Sequence, residues 1–377
     1  MALPSSLTDR LAAFLNGASV PWSVLGLTPA AFHDVCAEEG LTGLVHCRLR
    51  DRTAGDGWPE DVRDEVAGKA LRDAVEEGLR QQRTRSALDA LASAGVTPIL
   101  MKGTPLAYSV YRAPSLRPRE DTDLLIRRDQ VDEARGVMTA LGFAPAANSG
   151  GEHLFAQFQY SKEDSYGVEH VFDFHWKIST QPTFAAVLTH DELAADAIPI
   201  PSLGPHAYGA SPLHALLLAC IHPAMHHKNA EHLIWMYDIH LIASRLSDED
   251  FDRLVALAVE KRVGAICAHE LARAHARFSF RLPPRVIATL AACEGEPSAA
   301  YLRPRRRWAD ELMSSLRGLP RWRDRLGLLR EVVFPSPRYM LAIYRVTVSP
   351  PRSALLLPAL YAHRLLRGFH KILAGRK

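Results

Sequence analysis

With 377 residues, 47% of them hydrophobic, and a net charge of only +3, the chain can bury a substantial core and is long enough for two or three domains. Its first residues lack a basic segment followed by a long apolar one, which argues against a secretory signal. No apolar run reaches the length of a membrane span, the closest, Ala354 to Ala362, being broken by Pro358. Five dispersed cysteines without C-x-x-C spacing argue against a cysteine zinc site; they read as reduced thiols, so a cytoplasmic location is expected.

Residues 5 to 50 read as short helices. Ser6 to Asp9 offers capping residues, Leu11, Phe14 and Leu15 fall at helical spacing, and Thr28-Pro29 opens another helix. From Glu60 to about Ala94 the apolar positions Val62, Val66, Ala70, Leu71, Val75, Leu79, Leu88 and Leu91 predict one long helix. Residues 1–94 are thus expected to form a helical platform.

Pro98 to Met101 is a short apolar run suited to a buried strand, and Lys102-Gly103-Thr104 leads from it into a helix begun by Pro105. After a loop rich in Pro and Arg, Asp121-Thr122-Asp123 starts a strand that continues through Leu124-Leu125-Ile126. Asp129 to Leu141 predicts an amphipathic helix with Gly142 at its C-cap. His153 to Lys162 and Gly167 to Trp176 predict a hairpin turning through Asp164-Ser165-Tyr166-Gly167. That order predicts an α+β fold, with a mixed sheet carrying helices to one side over residues 95–205. An irregular stretch with several prolines reaches Pro212. Helices over Leu213–Met225, Glu231–Leu246 and Asp248–Ala276, and others to about Leu329, are expected to make a helical region over 206–333. Residues 334–377 read as a loosely attached basic tail.

The chemistry concentrates in the middle of the chain. Side chains alternate along a strand, so Asp121 and Asp123 point the same way, roughly 7 Å apart. Like-facing carboxylates repel unless a cation sits between them, and Mg²⁺ (or Mn²⁺) suits such a pair together with substrate phosphates. Asp173, between Phe172 and Phe174, is the candidate third acid; Glu169 has the same strand and parity and is the alternative. Lys102, Gly103 and Thr104 fit a strand-to-helix turn that meets phosphates. Lys102 and Arg117 carry the charge to reach the β and γ phosphates, Arg119 being an alternative to Arg117, and each reads equally as an ion pair. His222 and His226 lie four apart on one helix face, but the Glu of H-E-x-x-H is missing and no third ligand is indicated. These histidines are therefore expected to line the cleft or to hydrogen-bond Asp238, and His175 to stand just behind the acids. No Walker, G-x-G-x-x-G, G-x-S-x-G or kinase motif is present.

Lys102-Gly103, the run L-R-P-x-x-D-x-D-L-L from Leu116, F-D-x-H-W from Phe172, H-P-A-M-H from His222 and W-M-Y-D from Trp235 together resemble a bacterial family of uncharacterised nucleotidyltransferases of the DNA polymerase β superfamily. The resemblance covers roughly residues 85 to 245. The wider superfamily usually has Gly-Ser or Gly-Gly where Gly103-Thr104 stands, and fewer residues before D-x-D. The resemblance implies that Asp121 and Asp123 hold the metal carrying an NTP, with Asp173 helping to bind a second. Asp173 would then deprotonate or orient an acceptor hydroxyl, which attacks the α-phosphorus in line as pyrophosphate leaves. Lys102, Gly103, Thr104, Arg117 and Asp238 would contact the nucleotide, ATP by analogy. The acceptor implied is a small molecule; nucleotide addition to RNA or protein, and a scaffold that binds nucleotide without turnover, are the alternatives, nucleic acid being less favoured.

The charge is unevenly spread, since residues 301–377 hold 17 Lys and Arg against 4 Asp and Glu. From Tyr361 to Arg376, apolar and basic residues interleave at helical spacing. This segment (355–377) suits an anionic membrane surface or acidic partner, or alternatively docks on the protein's own helices.

Overall fold

The computed structural model describes residues 6–51, 57–146, 156–303, 312–313, 316–317, 319, 321–344 and 352–373. Its centre is a seven-stranded mixed sheet: β1 Ile99–Leu100, β2 Asp121–Leu125, β3 Ala144–Pro145, β4 Gln157–Glu163, β5 Glu169–His175, β6 Ile198–Pro199 and β7 Tyr208–Gly209. The spatial order is β3-β4-β5-β2-β1-β7-β6. The expected hairpin is β4–β5, antiparallel, and it closes at Gly167, whose φ of 78° suits a residue without Cβ. Asp164 holds the turn, its carboxylate accepting from the amides of Tyr166 and Val168. The start of the expected first hairpin strand, His153 to Phe155 in the sequence reading, lies outside the described residues.

The sheet has two unlike faces, and alternation along the strands decides which side chain goes to which. Leu124, Phe158, Tyr160, Phe172 and Phe174 point to one core, under helix Val131–Ala140 and the end of helix Glu60–Ser93. Phe158 and Phe174 stack there with ring centroids 4.8 Å apart. Asp121, Asp123, Asp173 and His175 take the opposite parity, and Leu125 on that face joins a second core made by helices that precede and follow the sheet in sequence. Residues such as Phe14, Phe32 and Trp58 pack in that core with Leu217, Ile239 and Phe251.

The long helix expected from Glu60 to about Ala94 is Glu60–Ser93, and it serves both cores. Val62 and Val66 enter the helical core and Ala87, Leu88 and Leu91 the sheet core, while Leu71 and Val75 between them are 67% and 60% exposed. The helix passes from one core to the other, and its apolar positions Leu71 and Val75 between them face outward. The proline-rich stretch before Pro212 is less irregular than expected, since it contributes edge strand β6 and its neighbour β7, which also pairs with β1, with Gly209 of β7 tucked under Pro105. The helix expected over Asp248–Ala276 is two helices, Asp248–Glu260 and Gly264–Phe278. The chain reverses at Arg262, in the left-handed region at φ 57°, and Gly264 admits the close approach of Cys293, whose Sγ would lie 2.8 Å from an added Cβ.

Candidate active site

The site is made by one register. β2 and β5 run parallel with Asp121 opposite Val171 and Asp123 opposite Asp173, so two aspartates from distant segments become neighbours on one face. Glu169 lies further down β5, exposed and opposite Glu163, beyond the end of the β2 pairing. Asp173 is the acid beside Asp123.

His175 completes the cluster. Its Nε2 lies 2.9 Å from Asp123 Oδ1 and 3.3 Å from Asp173 Oδ2, while Gln157 Nε2 donates to the same Asp173 oxygen at 3.3 Å. Asp123, Asp173 and His175 are all buried, and one ligand atom from each falls within 4.8 Å of the others. Asp173 Oδ1 is buried without a hydrogen-bond partner. Two carboxylates and an imidazole, with a buried unmatched oxygen among them, fit a divalent cation. His222 and His226 are not part of this group.

Lys102 reaches into the cluster, its Nζ 2.5 Å from Asp123 Oδ1. It stands between β1 and helix Gly103–Ser109 with φ 55° and ψ −130°, a conformation costly for a residue with a Cβ. Burial pushes the Asp123 carboxyl up, but the Lys102 ammonium and the hydrogen bond from His175 outweigh it and hold the group well below the usual range. The two carboxylates share His175, whose own proton is held more firmly despite its burial. Asp121 lies one pleat away, and the charge of Asp123, together with burial, pushes it up to about 7. It is thus the acid that most needs added positive charge.

Beside the acids lies a small cavity of about 40 Å³ lined by Lys102, Gly103, Arg117, His222, Trp235 and Asp238, with Leu106, Leu218 and several small side chains. Arg117 and Asp238 form a buried pair: Nε donates to Oδ1 and Oδ2 at 2.9 and 3.0 Å, and Nη2 donates to Oδ2 at 2.8 Å. The Tyr111 hydroxyl also donates to Asp238, at 2.7 Å. Asp238 is therefore bonded by Arg117 and Tyr111, and of the two expectations for the histidines the one met is the lining of the cleft, by His222. Gly103 faces the Arg117 guanidinium, 3.4 Å from where a Cβ would stand. Thr104 is buried with its hydroxyl unpartnered and is not among the residues lining the cavity. Arg119 points elsewhere and pairs at 2.6 Å with Glu77, midway along the long helix.

His222 and His226 stand over the site. Burial and then the charge of Lys102 keep both neutral, His226 with its pKa lowered to about 3. Their rings pack with His227 and Trp235, the His222 and Trp235 centroids lying 5.0 Å apart. Sequence reasoning missed Gln157 and Tyr111 and set His175 behind the acids; the D-x-H spacing, which puts both side chains on one strand face, was the available signal for His175.

A mixed sheet that joins aspartates from two parallel strands, next to a strand-turn-helix, is a nucleotidyltransferase-type α+β arrangement. Residues 27–279 match the family described as uncharacterised nucleotidyltransferases, and the chain belongs to that family. No curated protein matches it.

Proposed function

We propose that this protein transfers a nucleoside monophosphate from an NTP, ATP by analogy, to the hydroxyl of a small acceptor, releasing pyrophosphate. One observation carries the reading: the β2–β5 register that sets Asp123 against Asp173, with Asp121 on the same face and His175 between the two. Asp123, Asp173 and His175 would hold one divalent cation, and Asp121 with Asp123 would face the cation that accompanies the triphosphate. Such ions supply positive charge to the oxygens on which negative charge develops.

The chain's own residues divide the remaining tasks. The unmatched Asp173 Oδ1 is oriented by contacts to its other oxygen and would accept the proton of the attacking hydroxyl. Lys102 neutralises Asp123 when no cation is bound; once released, its ammonium would pair with the β and γ phosphates. The absence of a side chain at Gly103 lets a phosphate approach the turn beside Arg117, whose guanidinium is fixed by Asp238. Neutral His222 and His226 would present imidazoles to the acceptor or base without repelling a cation. Trp235 supplies an aromatic wall.

Calorimetry with the four NTPs and Mg²⁺ tests this, on wild type and on the double Asp121→Asn, Asp123→Asn variant. Metal-dependent binding that disappears in the variant is expected, followed by pyrophosphate release once an acceptor is supplied. Absence of NTP binding with either Mg²⁺ or Mn²⁺ would sink the proposal.

A further inference from the structure

Nucleotide chemistry leaves the basic end of the chain without a task. Helix Arg352–Leu373 runs 22 residues without one Asp or Glu and includes Arg352, Arg364, Arg367 and Lys371. One side of it is docked on the segment before it. The Tyr361 hydroxyl donates to the Pro335 carbonyl at 2.5 Å, and Arg364 donates to the Val332 carbonyl at 3.4 Å while lying over the Tyr339 ring. The other side faces water. Leu355 and Leu366 are 80% and 72% exposed, and Ala359 and Ala362, also exposed, continue the stripe between them at helical spacing. Leu356 and Leu365 flank it, 41% and 43% exposed, with exposed Arg367 alongside. Phe334 and Ile343, on the segment that holds the helix, are exposed as well.

Single exposed leucines need no explanation, but an apolar stripe along an acid-free basic helix does. Charge selects its occupant. A second copy would bring two acid-free helices face to face, where like charges repel. An anionic lipid surface complements both features at once, its headgroups meeting the arginines and its acyl boundary the leucines. Among the described residues no helix is long and apolar enough to cross a membrane, so the fitting geometry is a helix lying in the interface.

We propose that helix Arg352–Leu373 docks its Leu355–Leu366 stripe onto an anionic membrane surface, holding the nucleotidyltransferase core at the bilayer. The test is co-sedimentation of the full chain with vesicles of phosphatidylcholine alone or with about 30% phosphatidylglycerol. Wild type should pellet with the anionic vesicles only, and less as salt rises from about 0.1 to about 0.5 M. Leu355→Asn with Leu366→Asn should weaken partitioning at least about tenfold, as should the charge reversal Arg367→Glu. All three substitutions are at exposed positions, and unchanged thermal melting checks that the fold survives. Equal pelleting of wild type and the leucine variant overturns the proposal, as does failure of wild type to bind anionic vesicles. So does a wild-type dimer in light scattering that the leucine variant abolishes without lipid, since the stripe would then be a self-association surface.

Discussion

Lys102 joins a strained backbone to a side chain lodged where a cation would sit. Its ammonium, 2.5 Å from Asp123, competes directly with any metal for that carboxylate. Replacing it with methionine, Lys102→Met, should therefore tighten Mn²⁺ binding by about tenfold, worth ~1.4 kcal/mol, as followed by electron paramagnetic resonance. Turnover should fall in the same variant if the ammonium also serves the triphosphate. Unchanged or weaker Mn²⁺ binding would mean that Lys102 supports the site instead of competing for it. The acids should rank by position: Asp123→Asn removes the carboxylate that both Lys102 and His175 contact and should lose Mn²⁺ binding altogether. Asp121→Asn, one pleat away, should keep measurable binding in the same titration. Equal loss in both would contradict a centre built on Asp123, Asp173 and His175.

Between elements, the link with the largest expected cost of breaking is the buried pair that ties the loop before β2 to helix Leu233–Ala243. Arg117→Ala leaves Asp238 buried with only Tyr111, and uncompensated buried charges of this kind cost about 3–5 kcal/mol. Urea unfolding should show that loss, whereas Arg119→Ala, which breaks a separate pair with Glu77, should leave NTP affinity less affected than Arg117→Ala does. The short strands β6 and β7 matter beyond their two residues each. An added Cβ at Gly209 would stand 2.8 Å from Pro105 Cβ and 2.9 Å from Ile200 Cδ1, so Gly209→Ala should push helix Gly103–Ser109 away from β1 and lower both stability and nucleotide binding. A melting temperature equal to wild type would show that the packing around β7 yields without strain.

Across the whole molecule, the first helix is tied to the helices that follow the sheet by an ionic chain. Asp9 pairs with Arg277 at 3.5 Å, Arg277 with Glu231 at 3.6 Å, Glu231 with Arg273 at 2.8 Å, and Arg273 with Glu270 at 2.6 Å. Burial pushes the Glu270 carboxyl up to about 7, and Arg273 only partly offsets this. The folded state thus holds a proton that the unfolded chain releases near its ordinary pKa of 4.5. Folded stability from this group is full below that value, falls as pH rises toward 7 and is flat above it. Glu270→Gln should accordingly gain stability relative to wild type between pH 5 and pH 8, by at most about 3 kcal/mol. Parallel unfolding curves with no pH-dependent difference would show that Arg273 fully compensates the buried charge.

The family, the α+β class and the cluster of chemistry between Lys102 and Trp176 were legible without coordinates, because they rest on local signals. Alternation alone puts Asp121 and Asp123 on one face, and a Gly in a strand-to-helix turn is readable from its neighbours. The same alternation could not separate Asp173 from Glu169, since both have the parity that faces the site. Nor could helical spacing show that Leu71 and Val75 fall in the gap between two cores, or that the chain turns back at Arg262. Those outcomes depend on which segments meet. Register is chosen by packing between strands distant in sequence, and it set Asp173, not Glu169, opposite Asp123 and brought His175 within reach of both carboxylates. The sequence determined which side chains carry charge and which way each one points along its own element. Only the tertiary structure decided which charges face each other, because the energy that selects those neighbours comes from burying the Phe and Leu side chains on the opposite face of the same strands.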